Sequence, residues 1–127
     1  PDTIITDVRM PGIDGFEFLE GSQQNGNLKC WTIRELLSSK ALVSEGRQLK
    51  HCVATYASSC VRSHCSIWTM ELESYEGINK AVTIEIRNSS RQICQVRGKA
   101  NRLPNQKERQ VIQRWAESVG LRIANYV

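Results

Sequence analysis

His51 and Cys52 are the first residues of this chain to suggest chemistry, because an imidazole beside a thiol is the raw material of a cysteine nucleophile. Neighbours on a helix diverge by about 100°, so adjacency alone does not bring the two groups together. A Cys52 at a helix start would still have its pKa lowered by exposed backbone amides. Glu85 adds a carboxylate and completes a candidate catalytic set of His51, Cys52 and Glu85; its competing reading is a solvent-facing strand residue. Cys60, His64 and Cys65 widen the cluster toward zinc chemistry. The short C-x2-4-C steps of structural zinc are missing, however, and no metal site is expected. Cys52 and Cys60 read instead as small core hydrophobes on a helix.

A different chemistry is concentrated near the end of the chain. Gln95, Arg97, Lys99, Asn101 and Arg102 surround Gly98 in one strand-to-loop segment, with Lys107 and Arg109 in the helix behind it. Cations of this kind hold phosphates, while Asn and Gln amides read base edges. The competing reading is a structural glycine turn in which Gln95 and Asn101 bond the backbone. Charge distribution supports a polyanion partner: residues 1–86 carry eight Lys/Arg against eleven Asp/Glu, and residues 87–127 carry nine against two. Nucleic acid is the first candidate and an acidic protein surface the second.

The elements that must position these residues read as follows. Thr32 and Glu35 have capping-box spacing, which predicts a helix from Trp31 with Ile33, Leu36 and Leu37 on one face and Gly46 at its end. A second helix is expected from about Cys52 to Val61. Residues 66–72, 81–87 and 91–97 read as strands, the last two forming a hairpin, with Val82, Ile84 and Ile86 facing opposite Thr83, Glu85 and Arg87. A final helix starts near Pro104-Asn105, carries Val111, Ile112, Trp115 and Val119 at helical spacing, and stops at Gly120. The expected fold class is α+β, a small antiparallel sheet of about three strands packed by helices in the order α-α-β-β-β-α. An orphan strand and helix start would precede it.

At the other end, Asp7 closes the β-favouring run Thr3 to Thr6, and Val8-Arg9-Met10-Pro11-Gly12 leads through Asp14-Gly15 into Phe16-Glu17-Phe18-Leu19, read as a helix start. This string resembles the phosphoacceptor segment of response-regulator receiver domains, and the resemblance implies Asp7 as the phosphorylated aspartate in a longer parent protein. It also implies a histidine kinase partner, phosphorelay signalling and Mg²⁺ as cofactor, provided the parent supplies an intact receiver. The cation and a lysine are needed to neutralise the transferring oxygens, and their positions are not matched here.

From Trp31 onward the string Trp31-x-Ile33-x-Glu35-Leu36, Glu45-Gly46-x4-His51-Cys52-Val53-x-x-Tyr56, Thr83-x-Glu85, Gln95-x-x-Gly98-x-x-Asn101-Arg102 and Trp115-Ala116 resembles the PcfJ-like family. That resemblance implies a module encoded on conjugative plasmids, phages and bacterial genomes, in a mobile-element context, without implying a reaction. The expected organisation is a partial receiver segment over 1–20, a linker over 21–30 and a PcfJ-like domain over 31–127. The leading function is an accessory binding module. Alternatives are the output part of a phosphorelay protein and an enzyme using His51, Cys52 and Glu85.

At 127 residues the chain suits one domain of ordinary size. No apolar run approaches the roughly 18 residues of a membrane span, so no membrane partner is expected. Five cysteines, an odd number, cannot all pair within one chain, and a reducing cytoplasm is the expected location.

Overall fold

The computed structural model describes residues 13–21, 26–49, 65–125 and 127. They form a curled six-stranded mixed sheet in the order β1 to β6, with one helix against each face. The elements are β1 (Phe16–Glu20), β2 (Lys29–Glu35), α1 (Ser39–Leu49), β3 (Cys65–Ser74), β4 (Gly77–Arg87), β5 (Gln92–Arg97), α2 (Gln106–Val119) and β6 (Arg122–Ile123). All neighbouring pairs are antiparallel except β5 and β6, which run parallel across the α2 connection.

A three-stranded sheet packed by helices is therefore incorrect, and two local readings account for the error. Thr32 and Glu35 do not cap a helix; they lie in β2, where Trp31 and Ile33 are buried and Arg34 is exposed. That alternation has the strand period of two, and β1 and β3 provide the partners that satisfy its backbone. The helix begins instead after Ser38, whose hydroxyl accepts from the Ala41 amide at 3.1 Å, and it runs through buried Gly46 to Leu49. Likewise, Phe16-Glu17-Phe18-Leu19 starts no helix and is not an orphan, because Phe16 pairs with Ile33 and Phe18 with Trp31 in β1. The helix expected over Cys52 to Val61 lies outside the described residues.

The later elements follow their local signals. The β4–β5 hairpin forms, and α2 opens on a complete capping box between Asn105 and Glu108 and closes on left-handed Gly120. Bulges between Met70 and Glu71 and between Glu85 and Ile86 fit the curl of the sheet, since a bulge adds local twist.

Register divides the sheet into two unlike faces. Ile33, Met70 and Val82 form one row and Trp68, Ile84 and Val96 another, all buried. Val111, Ile112, Trp115 and Ala116 of α2 belong to the same core. Residues alternating with these rows are largely polar, and α1 lies on their side.

Candidate functional site

Strand pairing on the α1 side aligns three rows that are polar apart from Ile67. The first is Thr32, Glu71 and Lys80, the second Arg34, Thr69, Thr83 and Arg97, and the third Ile67, Glu85 and Gln95. Sheet faces covered by a helix are normally apolar, so a buried polar layer here is the feature to explain.

Glu45 is its centre. This α1 residue is completely buried, with Oε1 2.8 Å from the Lys80 ammonium and Oε2 accepting from the Thr83 hydroxyl at 2.6 Å. Lys80 also lies 3.1 Å from Glu71, which in turn is 3.5 Å from Arg34. The chain of alternating charges runs from the buried interior to the exposed edge at Arg34. A groove of about 320 Å³ opens beside it, lined by Arg34, Ser44, Gln48, Glu71, Ile78 and Lys80 among others. Thr69 is also fully buried, and its hydroxyl has no hydrogen-bond partner among the described residues.

The residues singled out in the sequence divide between different parts of the molecule. Asp7, His51 and Cys52 lie outside the described residues, as do Cys60 and His64. Glu85 and Gln95 are directly paired across β4 and β5, both half-buried, so the polar face carries Thr83, Glu85 and Gln95 together. Arg97 is half-buried on that face, and its guanidinium donates to the Val96 carbonyl at 2.9 Å. Lys99 and Asn101 are exposed in the short 3-10 turn after β5, with Ala100 and Asn101 both at positive φ.

Arg102 works as a latch from a half-exposed position. Its guanidinium makes a two-pronged contact with Glu108 at 2.8 and 2.9 Å and donates to the Ala81 carbonyl at 3.2 Å. The Glu108 hydrogen bonds raise its already high pKa further. Gly98 leaves the space for this: a Cβ there would meet Arg102 Cζ at 2.6 Å and Nε at 2.8 Å. Gly98→Ala should push the guanidinium off Glu108 and destabilise the fold by only about 1 kcal/mol or less, because the displaced group is the end of a flexible, half-exposed side chain, read as a small fall in the urea midpoint. Lys107 and Arg109 belong to α2, across the sheet from Gln95 and Arg97. Lys107 pairs with Glu20, and Arg109 donates to the Val127 carbonyl.

Cys94 is next in sequence to Gln95, and its environment opposes nucleophilic use. Burial, then the neighbouring Glu85 charge, push its pKa up to about 11, and the thiol donates to the Glu85 carbonyl at 3.6 Å. Because the shift is upward, little thiolate exists near neutrality. Iodoacetamide at pH 8 should alkylate Cys94 on the order of a hundredfold more slowly than an exposed cysteine, as followed by mass spectrometry of its peptide.

Among the described residues no three His, Cys, Asp or Glu side chains come together as a metal-holding group. No helix among them is long and apolar enough to cross a membrane. Glu71, Lys80, Arg34 and Thr69 had no signal in the sequence reading, since their partnership depends on register across three strands. Glu45 was already part of the family string.

The molecule is thus a small curled-sheet module with a hydrophobic face under α2 and a polar, ion-paired face under α1. Residues 25–112 match the family model described as PcfJ-like protein, and the chain belongs to that family. No curated protein and no solved structure matches it. The receiver-like reading of the first twenty residues gains no support from the comparisons. Its described part also differs in kind, because β1 is an antiparallel partner of β2 where the receiver pattern calls for a helix.

Proposed function

We propose that this PcfJ-like chain is an accessory binding module that contacts nucleic acid through β5 and the turn after it, beside the α1-covered part of its polar face, in the mobile-element setting that the family resemblance implies. The carrying observation is that Gln95 and Arg97 share one face of β5, followed at once by exposed Lys99 and Asn101. Together they offer two cations for phosphates and two amides for base edges. Arg102 and Lys107 are left out of this contact set, since each is paired with a carboxylate of the same chain. A reducing, cytoplasmic location belongs to the same proposal and fits Cys30, Cys65 and Cys94 as free thiols.

Fluorescently labelled single- and double-stranded oligonucleotides, titrated across a salt series, test the reading. Binding should weaken steeply with salt, and Arg97→Ala and Lys99→Ala should each reduce the logarithmic salt slope by about one. Lys107→Ala, on the opposite side of the sheet, should leave the slope unchanged. Salt-independent or absent binding sinks the proposal, and selective binding of a polyglutamate probe would redirect it to an acidic protein partner.

A further inference from the structure

Strand β1 lies outside the residues that match the family, yet it is built into the family's sheet. The match begins at residue 25, whereas Phe16–Glu20 pairs along β2 through five consecutive positions. The seat is specific. Ile13 is buried in the core, and Phe16 and Phe18 pack against it at alternate positions. The Arg114 guanidinium lies 4.7 Å from the Phe18 ring centroid and the Lys107 ammonium 5.7 Å, while Lys107 also pairs with Glu20. The Trp115 indole donates to the Asp14 carbonyl at 3.0 Å. Close approach is required at the entry, where a Cβ on Gly15 would meet the Ile33 carbonyl oxygen at 2.8 Å.

An unpaired strand edge is a template for another strand, with main-chain bonds giving affinity and side-chain pockets giving selectivity. We propose that the outer edge of β2 is a strand-docking site, filled here by residues 13–20 of the chain itself. In trans it takes an extended segment of another protein with alternating aromatic side chains followed by a carboxylate. The aromatics fill the space beside α2, and the carboxylate meets Lys107. This site is separate from the polar face, so its test is independent of nucleic-acid binding.

The experiment introduces a protease recognition sequence between Gly21 and Gly26, cleaves the folded protein there, and offers a fluorescein-labelled peptide of residues 13–21. Saturable exchange is expected. A Phe18→Ala peptide should bind at least roughly tenfold more weakly. Lys107→Glu protein should reject the native peptide and accept its Glu20→Lys form. Uptake of a scrambled peptide equal to that of the native one overturns the proposal, as does no uptake by cleaved protein that keeps its circular dichroism. Hydrogen exchange on the uncleaved chain is the second measurement. Amides of Phe16–Glu20 should exchange before those of β3 and β4, and loss only together with them overturns the proposal.

Discussion

Lys80→Met is expected to lower the unfolding free energy by about 3–5 kcal/mol. The ammonium is the cation that faces the fully buried Glu45 carboxylate, at 2.8 Å, and it is itself only 12% exposed. Methionine keeps the stem's packing and removes the charge. Glu45 would then be a buried carboxyl stripped of its ion-pair partner, with the Thr83 hydroxyl as its nearest support. Glu71 suffers less, because Arg34 and solvent remain to it. Against a typical margin of about 5–15 kcal/mol, such a loss removes a large part of the fold's stability. Urea unfolding should show it as a lower midpoint at unchanged slope. The double variant Glu45→Gln with Lys80→Met should recover most of the loss, since the buried charge is then gone from both sides. An unaffected single variant would mean that Glu45 is not held as a buried anion.

Trp115→Ala should cost a similar amount by another route. The indole is fully buried, and its ring centroid lies 4.9 Å from that of Trp68 at a tilt of 53°. Removing it opens a cavity between α2 and the sheet, for which about 3–5 kcal/mol is expected. Loss of the tilted aromatic pair contributes to that figure. The substitution also deletes the hydrogen bond to Asp14, one of the ties that seat β1. Thermal unfolding measures the first effect, and faster amide exchange in Phe16–Glu20 measures the second. An Arg114→Ala variant serves as comparison, because that residue is exposed and stacks on Phe18 from outside. It should shift stability far less while still loosening β1.

These variants act on opposite faces of one sheet, which matters for function. The apolar face under α2 carries the main hydrophobic cluster and the seat of β1. Its partner face combines buried Ile67 with a charge network and leaves Gln95, Arg97, Lys99 and Asn101 beside it. Charged groups are expensive to bury, and the Glu45–Lys80 pair with the Thr83 hydrogen bond offsets that cost.

Some of this was open to inspection in the residues alone. Val82, Ile84 and Ile86 alternate cleanly over a whole strand, and Asn105, Glu108 and Gly120 bracket α2 with its own start and stop signals. Those elements satisfy their backbone groups locally or with the next strand in sequence, so neighbouring residues determine them. Family membership was legible for the same reason, being a property of the string. Trp31 to Glu35 was not legible as a strand, because Thr-x-x-Glu fits a helix start as well as it fits alternate faces of a sheet. Only the presence of β1 on one side and β3 on the other decided between them. Tertiary structure also decided the site: Glu45 and Thr83 stand 38 positions apart, and the Glu71–Lys80 contact depends on a bulged register. Sequence thus determined what each segment could become by itself, and long-range pairing determined which charges would be buried together, because burial is a property of partners.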